Sequence, residues 1–296
     1  MSGGARKVLK TLIGTYPHTE PLKSGAVRSS SFDLEFTEIV PVWDGFKDMI
    51  RDDKYEVSEM AVVTYLLAKA HGRRLALLPA AMIGRFQHPY AIYNASKGPM
   101  TPADLNGKRV GIRSFTTTTG AWIRGILAND YGVDLDSIDW VTFEDPHVSQ
   151  YKDTTQRAPD GKKIVPILID GELDAVLGES SSDPSIKSLF GDPQAAALSW
   201  YCKHKVVPIN HLVVMRADDV ANDPGTTREV YRLLLEGKRL AGVPPSPDPV
   251  PFGIETNRGS LALIAEYAFQ QGLLPRRISV DEMFRKTREL IDTMAA

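Results

Sequence analysis

The chain has 296 residues, 43% of them hydrophobic and 24% charged, which is the composition of a globular protein long enough for two ordinary domains. Its formal net charge of -2 excludes the broad positive field through which proteins attract nucleic acid or anionic membranes. Cys202 is the one cysteine, which excludes an internal disulfide and a cysteine-rich zinc site.

Strand-like and helix-like segments alternate along the chain, as is typical of an α/β fold with mainly parallel sheets. In chain order, we predict strands at 8–13 and 32–39, a helix at 42–49, a strand at 55–57, a helix at 59–70, strands at 75–78, 90–93 and 108–112, a helix at 121–130, a strand at 139–143, a helix at 164–170, strands at 174–177 and 206–214, and helices at 227–241, 260–271 and 280–293. The proline-rich residues 243–252 predict an extended loop.

Targeting and membrane segments are not indicated. The apolar part of the N-terminal sequence is only a few residues long, and no stretch approaches the roughly 20 apolar residues of a membrane-spanning helix. We therefore expect a cytoplasmic protein whose partners include neither nucleic acid nor a membrane. Assembly into a homo-oligomer is left open.

A run of hydroxyl side chains lies between a predicted strand and a predicted helix, and it includes Ser114, Thr116, Thr118 and Thr119. The unpaired amides and the positive dipole end of a helix start attract anions, and hydroxyls add hydrogen bonds. The run therefore predicts a carboxylate-binding loop. Simple capping of the helix by one threonine explains it about as well.

A second predicted strand-to-helix junction contains Ser58 and Glu59. Ser58 is expected to cap the helix and present its hydroxyl, and Glu59 is a candidate titratable group. Helix capping alone explains Ser58 equally well, and a glutamate is favourable in the first turn of any helix.

Other candidates follow predicted strands, at the edge where open α/β sheets commonly bind ligands. Arg85, Phe86 and His88 follow one strand, Glu144 and His147 a second, and Glu179 a third. Arginine suits carboxylate recognition, and histidine exchanges protons near neutral pH. The six histidines show no His-x-x-x-His or His-Glu-x-x-His spacing, so we predict no helical metal site.

Five further motifs stand out along the chain. They are Tyr55-Glu-Val-Ser-Glu-Met-Ala, Thr101-Pro-Ala-Asp-Leu-Asn-Gly-Lys-Arg-Val-Gly-Ile, Thr118-Thr-Gly-Ala-Trp-Ile-Arg-Gly, Asn210-His-Leu-Val-Val and Gly253-Ile-Glu-Thr-Asn-Arg. Together they resemble motifs of the 4,5-dihydroxyphthalate decarboxylases. The second motif is shared with type 2 periplasmic binding proteins, whereas the first and third are more specific to the decarboxylases.

The resemblance implies a two-lobed α/β fold with a ligand cleft between the lobes. The first lobe would contain residues 1–96 and 208–296, and the second residues 97–207. His211 would lie at the return crossing, close to the cleft. Tyr16 and His18 stand where the family carries a more acidic first loop, and we expect both to contact the substrate.

The resemblance also implies non-oxidative decarboxylation of a hydroxylated aromatic carboxylate, which needs no redox cofactor. The route requires a carboxylate anchor and a general acid near the ring carbon. We assign anchoring to Ser58, Arg85, Thr118 and Thr119. The first acid–base candidates are His88, His147 and His211, and Glu59 and Glu144 rank after them. The remaining candidate substrate contacts are Tyr16, His18, Phe86, Ser114, Thr116, Trp122 and Glu179.

Two alternatives to this enzyme stay open. A solute-binding protein for a small carboxylate would use the same fold without chemistry. A hydrolase or a metal-dependent lyase on this scaffold is a third reading of the sequence.

Overall fold

The structure, a computed structural model, describes residues 6–295, with side chains up to residue 292. The strands are β1 (Lys7–Leu12), β2 (Phe32–Phe36), β3 (Val57–Ala61), β4 (Leu75–Gly84), β5 (Ala91–Asn94), β6 (Arg109–Ile112), β7 (Asp139–Thr142), β8 (Gln156–Arg157), β9 (Ala175–Leu177), β10 (Ile186–Ser188) and β11 (Ile209–Arg216). The α-helices are α1 (Glu20–Lys23), α2 (Phe46–Asp52), α3 (Val62–Ala70), α4 (Thr118–Tyr131), α5 (Ile164–Ile169), α6 (Pro193–His204), α7 (Ala217–Asn222), α8 (Pro224–Leu240), α9 (Ile254–Gln270), α10 (Val280–Met283) and α11 (Arg288–Ala295).

The chain divides into two compact units. Unit 1 contains residues up to 84, residues 209–262 and the residues from 278 onward, and unit 2 contains residues 85–208 and 263–277. Residues 85–96 go with unit 2 because β5 pairs with β9 and β10. Residues 263–277 do so because Tyr267 packs on Trp122 and Gln271 binds Arg124. Both assignments differ from the lobe boundaries drawn from the sequence.

Unit 1 is built on a five-stranded sheet in the order β2-β1-β3-β11-β4. The β1 strand is parallel to β2 and β3, whereas β11 is antiparallel to β3 and β4. All five residues of β3 are buried, and β11 is buried as far as Met215. Both faces of the sheet are covered at these two strands, so even their polar residues Ser58, Glu59, Asn210 and His211 are buried.

Unit 2 has a six-stranded sheet in the order β10-β5-β9-β6-β7-β8. The β6, β7 and β9 strands run parallel, so their carboxyl ends meet at one edge of the sheet. The β5 strand is antiparallel to β9 and β10. The α4 helix packs a buried face, which includes Ile123 and Leu127, into the core of this unit.

Several predicted elements differ from the structure. The β4 strand extends to Gly84, six residues past its predicted end, and the α9 helix begins at Ile254, six residues before its predicted start. Residues 57–61 form a strand and the helix begins at Val62, because β3 pairs with strands on both sides. The α4 helix begins at Thr118, three residues before its predicted start. The predicted helix 280–293 is split into α10 and α11, and the Thr287 hydroxyl between them donates to the carbonyl oxygen of Leu77.

Across residues 6–295, none of the helices combines the length and the apolar character that a membrane crossing would need.

Candidate active site

Glu59 is a buried carboxylate at the centre of β3, with 0% of its surface exposed. Its Oε2 atom accepts a hydrogen bond of 2.9 Å from the backbone amide of Gly14. Its Oε1 atom accepts from the Tyr16 hydroxyl at 2.8 Å and lies 2.6 Å from Nδ1 of His211. A buried carboxylate costs free energy unless donors surround it, and these three donors offset that cost.

His211 faces Glu59 because of the register between two central strands. The antiparallel pairing of β11 with β3 sets His211 opposite Ala61, two residues along β3 from Glu59. The edge of the imidazole packs against Phe46, with the ring centroids 5.2 Å apart, and 11% of the side chain is exposed. A carboxylate only accepts hydrogen bonds, so Nδ1 is the donor in this contact, and Nε2 is the ring nitrogen that Glu59 does not bind.

Tyr16 and His18 form the other side of this cluster. Burial, followed by the charge of Glu59, raises the pKa of the Tyr16 phenol well above its usual range, so its hydroxyl keeps its proton and donates. His18 stacks on Tyr16 with 5.4 Å between ring centroids, and burial lowers its pKa to about 4. The imidazole of His18 is therefore neutral at pH 7. No described residue hydrogen-bonds its buried Nε2 atom.

Ser58 does not cap a helix, so that part of the sequence prediction is wrong. It lies within β3, and its buried hydroxyl donates to the backbone carbonyl of Glu59 at 2.8 Å. The residue before the α3 helix is Ala61. The apolar spacing from Met60 onward suits a helix, but pairing with neighbouring strands keeps residues 57–61 extended.

In unit 2, the predicted hydroxyl run forms the loop that leads into α4. Thr117 precedes the helix, and its hydroxyl donates to the carbonyl of Ser114 at 3.0 Å. The hydroxyls of Ser114 and Thr116 lie 3.2 Å apart, and both residues are buried. Thr118 and Thr119 are the first two helical residues. Their amides therefore stand at the positive end of a 14-residue helix.

The carboxyl ends of three parallel strands gather charged side chains in unit 2. Arg113 follows β6, Glu144 follows β7 and Glu179 follows β9. Nε of Arg113 lies 3.6 Å from Oε2 of Glu144. Burial raises the pKa of Glu179, an effect that Arg113 opposes and Glu144 reinforces. Our sequence candidates omitted Arg113, although its position directly after a parallel strand was a usable signal.

Arg85 and Phe86, at the start of unit 2, both contact aromatic rings. The guanidinium of Arg85 lies 3.9 Å from the centre of the Tyr90 ring, the distance of a cation–π contact. Phe86 packs edge-on against Tyr201. The positive charge of Arg85, like that of Arg113, opposes the rise in the pKa of Glu179 that burial causes.

His88 lies in an aromatic environment of unit 2, with 0% of its surface exposed. Its ring centroid is 4.7 Å from that of Phe190 and 6.2 Å from that of Trp200. Neither ring nitrogen has a hydrogen-bond partner among residues 6–292. Burial lowers the pKa of His88 to about 4, so this histidine is neutral at pH 7.

The remaining candidates in unit 2 are Trp122 and His147. Trp122 is buried between Trp200 and Tyr267, with both rings edge-on to it. His147 is partly exposed, in the segment after β7. Within the described part of the chain, no three His, Cys, Asp or Glu side chains gather as a metal ion would require.

Ten of the sequence candidates thus fall into two groups, each within one unit. Unit 1 brings together Tyr16, His18, Glu59 and His211 around one carboxylate. In unit 2, the α4 start and the carboxyl ends of the parallel strands carry Ser114, Thr116, Thr118, Thr119, Glu144 and Glu179. The first group pairs a buried carboxylate with a histidine, and the second carries hydroxyls and charged groups.

No protein-family model matches the chain. The chain is 29% identical over 249 residues to the 4,5-dihydroxyphthalate decarboxylase of Comamonas testosteroni, covering 79% of this chain and 75% of that one. It is 26% identical over 209 residues to the 4,5-dihydroxyphthalate decarboxylase of Pseudomonas putida, covering 65% and 81%. These relatives confirm the resemblance found in the sequence. Both are decarboxylases by name, which confirms the expectation of an enzyme.

Solved structures of similar fold have far lower sequence identity. The periplasmic aliphatic sulphonate binding protein SsuA of Escherichia coli has a TM-score of 0.61 at 12% identity and covers 96% of this chain and 99% of its own. The desulfurization enzyme DSZB has a TM-score of 0.57 at 11% identity and covers 98% of this chain and 100% of its own. At such identities the likeness establishes the fold alone, and it confirms the periplasmic-binding-protein-like α/β fold.

Proposed function

We propose that this relative of the 4,5-dihydroxyphthalate decarboxylases removes carbon dioxide, without oxidation, from a hydroxylated aromatic carboxylate such as 4,5-dihydroxyphthalate. The observation that carries the proposal is the 2.6 Å contact between Nδ1 of His211 and Oε1 of the buried Glu59. It fixes one ring nitrogen as a donor and leaves the other to exchange protons, as a general acid requires.

The chemistry needs a proton at one ring carbon. A hydroxyl ortho or para to the carboxylate-bearing carbon pushes electron density into the ring, so that this carbon accepts a proton. The bond between the ring and the carboxylate then breaks, its electron pair restores aromaticity, and carbon dioxide leaves. The reaction consumes one proton for each carbon dioxide released.

His211 is the proposed source of this proton. In its imidazolium form, Nε2 donates to the ring carbon, and solvent then restores the proton. The Glu59 carboxylate stabilises the positive charge of the imidazolium at 2.6 Å. Glu59 accepts its three hydrogen bonds from Gly14, Tyr16 and His211, so we place its action on His211 rather than on the substrate.

The proposed carboxylate anchor is the start of α4, with Thr118 and Thr119. Helix-start amides and hydroxyls suit an anion, and the α4 helix is long enough to develop a full dipole. Arg113 adds a positive charge at the neighbouring strand end. This proposal is independent of the acid–base pair and is tested separately.

The decisive experiment offers the protein 4,5-dihydroxyphthalate and a panel of hydroxybenzoates in heavy water. We expect carbon dioxide release and a product with one deuterium at the carbon that lost its carboxylate. A hydroxybenzoate whose hydroxyl is meta to the carboxylate is the matched control, because its hydroxyl cannot activate that carbon. Ligand retained without turnover across the panel would instead favour a solute-binding protein.

A further inference from the structure

The loop between β1 and α1 forms a tightly bonded turn, residues 14–19, which we call the 14–19 turn. The Thr19 hydroxyl donates to the carbonyl of Gly14 at 2.7 Å and accepts from the amide of Tyr16 at 2.8 Å. The amides of Thr19 and Glu20 both donate to the carbonyl of Tyr16 at 2.9 Å. Thr19 has 0% of its surface exposed. These bonds fix the backbone that carries the Tyr16 ring.

Glycine at position 14 leaves the space that the Tyr16 ring occupies. A Cβ atom at this position would stand 2.4 Å from the Tyr16 hydroxyl oxygen and 2.6 Å from the adjoining ring carbon. Real Cβ atoms do not approach other atoms so closely. The absent side chain therefore lets the phenol lie against the backbone and reach Oε1 of Glu59.

Two of the three donors to Glu59 come from this one turn. The Gly14 amide binds Oε2, and the Tyr16 hydroxyl binds Oε1, the atom that also contacts His211. The two carboxylate oxygens are thus held by donors from the same six residues, which fixes the plane of the carboxylate. The stacked, neutral His18 ring packs against the Tyr16 ring.

We infer that Tyr16 is a positioning residue, which the 14–19 turn holds in place so that its hydroxyl orients the Glu59 carboxylate toward His211. The inference rests on the proposed function, because the proposed function makes His211 the proton donor that the oriented Glu59 assists. It assigns Tyr16 an action through Glu59, where the sequence predicted a substrate contact.

The test is Tyr16→Phe, which removes only the hydroxyl. We expect kcat to fall about tenfold, the effect of losing one hydrogen bond to a charged group, with KM within about twofold of wild type. The proton between Nδ1 of His211 and Glu59 should give a separate downfield proton NMR signal in the substrate-free protein. That signal should shift in Tyr16→Phe and be absent in His211→Asn.

Tyr65→Phe is the matched control. The Tyr65 hydroxyl is buried in the same unit and donates to the carbonyl of Met283 at 2.9 Å, without contact to Glu59. This variant should leave kcat, KM and the downfield signal unchanged. A similar change in both tyrosine variants would overturn the inference, because a general loosening of unit 1 would then explain the loss.

A second pair of variants tests the turn without touching the carboxylate. Thr19→Val removes the hydroxyl that fixes Tyr16, and Thr19→Ser keeps it. Thr19→Val should shift the downfield signal as Tyr16→Phe does, and Thr19→Ser should restore the wild-type position. An unmoved signal in Thr19→Val would contradict the role of the turn.

The outcomes separate this inference from the proposed function. A rise in KM at unchanged kcat in Tyr16→Phe would make Tyr16 a substrate contact and overturn the inference. A wild-type protein that decarboxylates none of the panel would refute the proposed function only. The NMR signal then still decides whether Tyr16 orders the Glu59–His211 pair, and an unchanged signal in Tyr16→Phe would refute that ordering.

Discussion

Two buried histidines, His211 in unit 1 and His88 in unit 2, have opposite surroundings. His211 is 9% exposed and shares a hydrogen bond of 2.6 Å with a buried carboxylate. His88 is 0% exposed and has aromatic rings on its sides, and no described residue binds its nitrogens. Burial without a hydrogen-bond partner lowers the pKa of the His88 imidazole, whereas the carboxylate beside His211 decides which of its ring nitrogens donates.

The largest expected effect is that of His211→Asn. The asparagine amide can still donate to Glu59, but it carries no group that exchanges a proton as Nε2 does. We expect kcat to fall by about 10²–10⁴, the usual contribution of a general acid. Steady-state decarboxylation assays measure the loss, and circular dichroism checks the fold. Turnover within about twofold of wild type would contradict the proposal that His211 is the proton donor.

Glu59→Gln tests the partner of this histidine. The amide removes the negative charge and adds a donor where Tyr16, Gly14 and His211 already donate, so one buried donor loses its acceptor. We expect kcat to fall about 10²-fold and the free energy of unfolding to fall by about 1–3 kcal/mol. Thermal melts and assays measure the two effects.

Glu144→Gln is the control for the stability effect of Glu59→Gln. Glu144 is 46% exposed and lies 3.6 Å from Arg113, so solvent screens its ion pair. We expect this variant to lose less than about 1 kcal/mol of unfolding free energy. Equal losses of unfolding free energy in the two glutamine variants would contradict the expectation that the buried Glu59 carboxylate stabilises the fold more than the exposed Glu144.

Acid should destabilise the protein through His88. Its pKa is about 4 in the folded state and 6.5 in the unfolded chain, so the unfolded state binds more protons between these values. The free energy of unfolding therefore falls as the pH falls from about 6.5 to 4, by up to about 3 kcal/mol from this group. His88→Leu should remove that part of the loss, as melts at pH 7 and pH 5 would measure.

The turnover of His88→Leu tests whether His88, unlike His211, is dispensable for proton transfer. Because we place no proton transfer on His88, its turnover at pH 7 should stay within about twofold of wild type. His18 also has a pKa of about 4, so the free energy of unfolding of this variant should still fall by a similar amount in acid. A large fall in kcat with an intact fold would return His88 to the acid–base candidates.

The smallest expected effect concerns the proposed anchor. Thr119→Val keeps the shape of the side chain and removes its hydroxyl, and we expect KM to rise about tenfold with little change in kcat, as for one lost hydrogen bond to a carboxylate. Thr117→Val is the control, since its hydroxyl binds the carbonyl of Ser114 within the loop. Equal rises in KM would indicate that the loop shape, rather than the Thr119 hydroxyl, holds the substrate.

The sequence predicted the fold class and most elements, because apolar periodicity and helix-start signals are local. The predicted strand at 108–112 illustrates this, because β6 covers residues 109–112. The helical spacing of Met60, Val63 and Leu67 predicts a helix that begins at residue 59, where the structure has the end of β3. Only the pairing of β3 with β1 and β11 favours a strand over a helix for residues 57–61.

The sequence named Glu59, His211 and Tyr16 as candidates but did not predict that they would meet. Glu59 and His211 are 152 residues apart, and the register of two antiparallel strands joins them. Tyr16 reaches the pair through a turn whose hydrogen bonds depend on tertiary placement. Such contacts leave no spacing signal in one sequence.

The central position of β3 and β11 also bears on protein engineering. Each strand is hydrogen-bonded to neighbours on both sides, so the amides of Glu59 and His211 should be among the slowest to exchange with solvent deuterium. Local opening of surface loops would then leave the pair assembled. Loop sequences of unit 1 away from the 14–19 turn can accordingly be changed while the Glu59–His211 pair stays in place.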